Sequence, residues 1–269
     1  MSKIIKRTLM VLMALMLAIP VLPIIEAQAV SDGVAIEDGA VSENGNARTK
    51  AKGNVTINKK NFPDKKFREY VKKAFDKNNN GVLSKAERNA VKKMSIYGNK
   101  RNSRLEWGIS NFKGLEHFPN LQVFEYTWWR IKKIDFSKNK KLRVIDVRGT
   151  SLKKLDVRKN TELRELVCIY NELKKLDVRK NKKLVKLLAG YNPLTTLDLS
   201  KNTKLKELNC EMNNFRKLVG VKKLTKLKAN KTNLLGNFLS EKELKAKLPK
   251  QLLKNKKWLK EQIDHQRVK

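Results

Sequence analysis

Apolar residues recur in this chain with a fixed period of 21. Leu121, Leu142, Leu163, Leu184 and Leu205 are each 21 residues apart, and so are Ile134, Leu155, Leu176, Leu197 and Leu218. A repeat of this length excludes most folds, because one copy is too short to bury its own apolar side chains. Three copies show the unit: "LRELVCIYNELKKLDVRKNKK", "LVKLLAGYNPLTTLDLSKNTK" and the slightly shorter "LKELNCEMNNFRKLVGVKK". Leu166 and Cys168 are two apart, the spacing that puts both on one face of an extended strand. Asn171 then ends the strand. Turned inward, its amide satisfies backbone groups of the bend, and Asn192 and Asn213 repeat it. Asn139, Asn160, Asn181 and Asn202 form a second series on the return side. Stacked copies cover each other's leucines, with strands pairing in parallel at about 4.8 Å. The return segments space their apolar residues by three and two, which predicts turns, short extended pieces and single 3₁₀ turns. Cys168 and Cys210 share one inward slot two copies apart. That separation, about 10 Å, is beyond a disulfide and makes them packing thiols.

The segment before the repeats divides in two. "MSKIIKR" is a positive start, "TLMVLMALMLAIPVLPII" an apolar run broken by Pro20 and Pro23, and "AQA" a small-x-small site. Residues 1–29 therefore read as a signal peptide cut after Ala29, which implies a secreted, extracellular protein. Residues 30–57 are rich in Gly, Ser, Asp, Glu, Asn and Ala and read as a flexible linker. No later run is long and apolar enough to span a membrane. The full chain of 269 residues carries 62 Lys and Arg against 26 Asp and Glu, a formal charge of +36. Loss of three cations and Glu26 with the signal leaves +34. Such charge attracts anionic polymers at low salt.

The common form, L-x-x-L-x-C/A-x-x-N-x-L-x-x-L-D-V-x-x-N-x-x over roughly residues 115–235, resembles the leucine-rich-repeat family. With the signal peptide and repeat length, it is similar to the secreted bacterial internalin-like group. The expected fold class is α/β. It is a short leucine-rich-repeat solenoid of 21-residue repeats with parallel strands over 101–236, including an N-terminal cap around "GISNFKGLEHFPNLQVF". A basic helical cap follows at 237–269, with Leu252, Trp258, Leu259 and Ile263 broadly in helical phase. The Asn slot holds Trp129, Thr150 and Thr232 in the outer copies, so the regular geometry is in question there.

Residues 58–100 hold a second motif. "DKNNNGVLSKAE" places Asp76, Asn78 and Asn80 at loop positions 1, 3 and 5, Gly81 at the sharp turn, the Val82 carbonyl at 7, Ser84 at 9 and Glu87 at 12. "PDKKFREYVKKAF" precedes it as a helix, and "SKAERNAVKKM" begins the exit helix. The loop resembles an EF-hand, and the resemblance implies Ca2+. Only Asp76 and Glu87 carry negative charge, and Lys77, Lys85 and Arg88 lie close. That places the affinity in the weak extracellular class, about 10⁻⁴–10⁻³ M, with a structural role. An empty loop held by Asn side chains is the alternative.

No enzyme is expected. His117 and His265 are the only histidines, neither sits in a ligand or nucleophile pattern, and G-x-S-x-G, H-E-x-x-H and phosphate-loop motifs are absent. Asp135, Asp156, Asp177 and Asp198 repeat in one environment, which suits turn capping rather than acid–base chemistry. The strand face offers a binding strip: Val123 and Val144, and above all Trp128, Val167, Ile169, Tyr170, Leu188, Tyr191 and Met212, which are expected to point to solvent. Its partner would be a protein or glycan on a cell surface, bound by a monomer. The rival reading uses basic ridges (Lys132, Lys133, Lys153, Lys154, Lys174, Lys175, Arg158, Lys159, Arg179, Lys180) to hold cell-wall polyanions. Aromatics do not interleave with those ridges, so specific nucleic-acid recognition has no support.

Overall fold

A computed structural model describes residues 53–97, 108–131 and 133–267, all within one compact unit, Asn46–Lys269. The signal peptide expected at 1–29, most of the linker expected at 30–57, and Lys132 lie outside the described residues.

The core element is a seven-stranded, all-parallel sheet in sequence order: β3 (Lys93–Tyr97), β4 (Val123–Thr127), β5 (Val144–Asp146), β6 (Glu165–Val167), β7 (Lys186–Leu188), β8 (Glu207–Asn209) and β9 (Thr232–Asn233). This is a leucine-rich-repeat solenoid, and its rungs follow the 21-residue period. Phe124, Ile145, Leu166, Leu187 and Leu208 lie side by side in register, each fully buried. Leu121, Leu142, Leu163, Leu184 and Leu205 form a second buried column, and Val147, Cys168, Ala189 and Cys210 a third. Cys168 and Cys210 are free thiols, and burial pushes the Cys168 thiol up to about 12.

Both asparagine series line the interior. On the strand side, Asn171 donates to the carbonyls of Val147 (2.8 Å) and Cys168 (3.1 Å) and accepts from the Leu152 N–H at 2.8 Å. Each such side chain clips two neighbouring coils together. The slot at 150 uses the Thr150 hydroxyl, which donates to the Val147 carbonyl at 2.8 Å. In the last coil the slot is filled by Asn237, not Thr232. Thr232 pairs with Leu208 as a strand residue, and Asn237 donates to the Cys210 carbonyl at 3.0 Å. The offset there is 24 residues, because the return path inserts two 3₁₀ turns, Val221–Lys223 and Ala229–Lys231. The return-side aspartates cap turns: Asp135, Asp156, Asp177 and Asp198 each accept the N–H two residues on. At Asp177, the Arg179 side chain, set against opposing burial, pulls the carboxyl down to about 2.

The two ends are closed differently. At the first, α1 (Lys65–Phe75) starts at Asp64, whose side chain accepts from the Phe67 N–H at 2.9 Å and from Ser110 at 2.8 and 2.9 Å. That carboxylate pins the helix to the N-terminal cap. Phe112 meets Phe124 and Tyr126 at ring distances of 5.1 and 4.8 Å, so an aromatic wedge covers the first coil. The exit helix, α2, is shorter than "SKAERNAVKKM" suggests: it spans Lys85–Ala90, and β3 begins at Lys93. Met94 and Ile96 are buried while Lys93 and Tyr97 are exposed, a period of two that only a strand can satisfy. At the other end the cap is three short helices, α3 (Glu241–Lys247), α4 (Lys250–Leu253) and α5 (Lys256–Asp264), because Pro249 interrupts the path. Trp258 reaches back and donates its indole N–H to the Thr232 carbonyl at 2.9 Å. Among the described residues no helix is long and apolar enough to cross a membrane.

Candidate functional site

The loop at 76–87 has the turn its sequence asks for. Asn79 and Gly81 adopt φ of 55° and 76°, and the chain folds round the Asp76 carboxylate, which is 3% exposed. Asp76 accepts from the N–H groups of Asn80 (3.2 Å) and Gly81 (2.9 Å). Asn78 accepts from the same Asn80 N–H at 3.2 Å, and Asn80 accepts from Val82 at 2.8 Å. Ser84 and Glu87 form a capping box, and Glu87 also accepts from the Lys77 N–H at 2.8 Å, which folds its carboxylate over the loop. Burial would raise the Glu87 carboxyl, but Ser84 and Lys77 outweigh it and hold it below its ordinary value. The backbone of Val82–Leu83 (β2) pairs antiparallel with β1 (Val55–Thr56), Leu83 opposite Val55. A single loop needs support on this edge, and the segment just before α1 supplies it.

This donor set is all oxygen, which suits a hard cation. Asp76, Asn78, Asn80, Ser84 and Glu87 each keep acceptor capacity beyond these bonds, since a carboxylate or amide oxygen has two lone pairs. With two carboxylates the charge is low. Among the described residues no group of three or more His, Cys, Asp or Glu is placed to hold a metal.

The second feature is the outward strand face and its rim. Trp128, Tyr170, Tyr191 and Met212 have φ of 64°, 57°, 55° and 50°, and Gly149 and Gly236 take the same conformation at 65° and 64°. These are equivalent positions of successive coils, each just before the Asn slot. A left-handed residue turns the chain out of the strand, which Gly does freely and a bulky residue does only at a cost of about 1–2 kcal/mol. Four coils nevertheless carry a large side chain there. Tyr170 and Tyr191 stack at 4.3 Å and 28°, and Trp128 reaches across Gly149 to lie 6.0 Å from Tyr170. Met212 covers Gly236 in the same way. All four are half-buried. Strain of this kind persists where the surrounding structure holds it, and it gathers at functional sites.

Inside this rim, Ile169 and Leu188, expected to point to solvent, are half-buried. Val167 is not open to solvent: it is 4% exposed, wedged in its column between Asp146 and Leu188. It acts as a floor rather than a contact. Val123 and Val144 lie further across the face and are half-buried. The face also holds groups that the leucine pattern did not reveal. Glu125, 1% exposed, accepts from Ser95 (2.6 Å) and Tyr97 (2.5 Å) and pairs with Lys93 at 3.2 Å. Burial would raise its carboxyl, but these donors hold it below the ordinary value. In turn burial and Glu125 push the Tyr97 hydroxyl up to about 12. Asp146 and Arg148 form a two-pronged pair at 2.5–3.0 Å. Glu211 accepts from Asn209 at 2.8 Å and from Asn233 at 2.7 Å. The 21-residue register groups these residues: Glu125, Asp146 and Asn209 share one outward column, and Arg148 and Glu211 the next.

The basic ridges are partly self-neutralised. Arg158 and Arg179 fold onto Asp156 and Asp177 at 2.7 and 2.9 Å. Lys153 and Lys183 approach Glu172 and Glu162 at 3.9 and 2.5 Å. His117 packs edge-on against Phe62, and burial lowers its imidazole, as a cap residue.

Several solved structures are similar to this chain. A leucine-rich-repeat protein of Leptospira interrogans is 22% identical over 49% of this chain and 35% of its own length, with a TM-score of 0.45. An internalin C2 of Listeria monocytogenes is 17% identical over 71% of this chain and 91% of its own, at 0.49. The functional domain of internalin J of Listeria monocytogenes, which includes a cysteine ladder, is 21% identical over 72% and 55%, at 0.30. This chain thus spans about a third of the Leptospira protein. No model of a known protein family matches the sequence, and no curated protein matches it.

Proposed function

We propose that this is an exported, non-enzymatic binding protein of the adhesion type. The outward strand face contacts a protein or glycan at a cell surface, and a weak structural Ca2+ site braces the N-terminal end. The observation that carries the reading is the rim of Trp128, Tyr170, Tyr191 and Met212. Four bulky side chains occupy a backbone conformation that favours Gly, and they are stacked and half-exposed beside Ile169 and Leu188. A scaffold built only for stability would place Gly or Asn there. The repeated parallel rungs hold these groups rigidly, which lowers the entropy lost on binding.

The rival use of the surface is salt-sensitive attachment of anionic polymers to the basic ridges. One comparison separates the two. The mature chain and a Tyr170→Asn/Tyr191→Asn variant are tested on immobilised cell-surface protein and on a glycan array, at about 0.05 M and about 0.5 M salt. Asn tolerates the left-handed backbone, so the variant removes the rings without straining the fold. The expected result is retention that survives the higher salt and falls about tenfold or more in the variant. Retention that collapses with salt and is equal in both proteins would overturn the reading.

For the loop, Asp76, Asn78, Asn80, Ser84 and Glu87, with the Val82 carbonyl, are the proposed ligands. The ion would fix α1 and α2 to each other and to the first coil. At about 10 mM Ca2+, roughly ten times the weak limit, mass action adds about 1.4 kcal/mol, a rise in Tm of about 3–5 °C. The Glu87→Gln chain, already short of a capping carboxylate, should melt lower without Ca2+ and gain less than about 1 °C from it. An unchanged Tm in the parent chain, measured by calorimetry, would remove the site.

A further inference from the structure

The outward strand face does not share the charge of the molecule. Its outward positions carry five carboxylates (Glu125, Asp146, Glu165, Glu207, Glu211) and three cations (Lys93, Arg148, Lys186), on a chain with a formal charge of +36. Three of the five acids are already paired: Glu125 with Lys93, Asp146 with Arg148, and Glu207 with Lys186 at 3.6 Å. Glu165 and Glu211 have no ion pair among the described residues. Of these, Glu165 lies at the far edge of the strands, away from the aromatic rim, whereas Glu211 lies against it.

Glu211 is also held in place. One carboxylate oxygen accepts from the Asn209 amide and the other from the Asn233 amide, so the group is oriented by two neighbouring strands without losing its charge. Its side chain lies over Gly190: a Cβ at that position would come within 3.1 Å of the Glu211 Cγ and 2.5 Å of the Asn209 Oδ1. The same coil ties it to the rim, since Tyr170 N–H donates to the Gly190 carbonyl at 3.2 Å and Tyr191 N–H to the Glu211 carbonyl at 2.9 Å. Burial, and after it the nearby Glu211 charge, raises the Tyr191 hydroxyl above its ordinary value. A fixed carboxylate beside a stacked ring pair is shielded from water on that side, which strengthens its attraction for a cation.

The geometry points to a subsite for a Lys or Arg side chain of a polypeptide partner. The cation is held by Glu211 beside the Tyr170–Tyr191 pair, and a neighbouring apolar residue of the same segment rests on Ile169 and Leu188. This rests on the strand-face reading and names the chemistry of its partner. Charge complementarity selects the occupant, because among the described residues of the sheet face this is where a carboxylate without an ion pair meets half-buried apolar side chains, on a molecule whose net charge otherwise repels cations. The remaining positive charge acts over longer distances and is screened by salt, so binding of such a segment should hold or strengthen as salt rises.

A phage-displayed random heptapeptide library panned against the mature chain at about 0.15 M and about 0.5 M salt tests this. Wild type should enrich peptides with Arg or Lys next to an apolar residue, at both salts. Glu211→Gln, which keeps one acceptor oxygen for the asparagine amides and removes the charge, should lose that preference with a capture yield at least about tenfold lower. Glu165→Gln should keep it. If Glu211→Gln melts early, Glu211→Asp takes its place as the folded comparison: it should retain the basic preference at reduced yield, and loss of the preference there counts against the subsite. Acidic or neutral consensus peptides, or a basic consensus that survives Glu211→Gln, would overturn the subsite. If Tyr170→Asn/Tyr191→Asn abolishes capture while Glu211→Gln does not, the face binds but not through Glu211. If neither variant changes capture, the strand-face reading itself fails.

Discussion

Leu187→Ala is expected to destabilise the folded chain by about 3–5 kcal/mol, lowering Tm on the order of 10 °C. Leu187 sits at the centre of β7, fully buried, with Leu166 and Leu208 in register on either side. A cavity there cannot close. The flanking strands are fixed at their spacing by backbone bonds on both sides of the gap, and the asparagine clips hold the coils above and below. Stability in such a stack is a sum of coil terms and contacts between neighbours, so a defect in the middle also weakens the coupling of the two halves. Urea unfolding followed by circular dichroism should therefore show a broader transition as well as a lower midpoint. Leu259→Ala, a half-buried position in the terminal helix, should cost only about 1 kcal/mol. Equal losses at the two sites would mean that the stack does not carry the stability.

The period made most of this fold readable, because burying a column of leucines admits few arrangements. The rungs, both asparagine series, the turn-capping aspartates and the separated thiols all follow from a spacing of 21. Two features did not follow. The coil before β9 is 24 residues long, and the extra turns at Val221–Lys223 and Ala229–Lys231 carry no apolar signature that marks an insertion. The strand Lys93–Tyr97 directly follows a six-residue helix, and in "AERNAVKKMSIY" the helical and extended patterns overlap. Pairing with Phe124 and Tyr126 decides between them, and that contact is non-local.

At the strand face the sequence supplied residue types but not backbone. Tyr170, Tyr191 and Met212 could be placed at the strand end from their spacing, yet nothing in "CIYN", "AGYN" or "CEMN" announces a positive φ at a bulky residue. The local hint is Gly at the equivalent positions 149 and 236. Val167, expected to point to solvent, is buried instead, because Asp146 and Leu188 from neighbouring coils flank it. Burial of an outward residue is a property of the sheet, not of the repeat. The loop at 76–87 was the opposite case. Its spacing marks the sharp turn at Gly81 and the helix before it, while the exit helix ends early at Ala90 and the supporting strand Val55–Thr56 lay in a segment with no pattern of its own.

Asn181 gives the second large effect, and the sign of its pH dependence tests the reason. The side chain is fully buried; its amide donates to the carbonyls of Val157 (2.9 Å) and Asn160 (2.8 Å). Its own oxygen accepts from no protein donor, and the same holds for Asn139, Asn160 and Asn202. The return series therefore works by donation alone. Asn181→Ala removes both bonds and leaves each carbonyl only its backbone partner, the Asn160 N–H on Val157 (3.0 Å) and the Leu163 N–H on Asn160 (3.1 Å), and should cost about 1–3 kcal/mol. Asn181→Asp is almost the same size, so packing predicts little change, whereas donation predicts a larger loss than Ala near pH 7. A carboxylate there would face two carbonyls without a donor, and burial would raise its folded-state pKa above the unfolded value. A raised pKa means the folded chain binds the proton more tightly. The Asp variant should therefore regain stability as pH falls from 7 towards 4, as the protonated acid restores one donor. The parent chain moves the other way in acid, because depressed carboxyls such as Asp177 lose their stabilising contribution as pH falls. Urea midpoints at the two pH values decide it: an Asp variant as stable as the parent at pH 7 would show that the clip acts by filling space, not by donating hydrogen bonds.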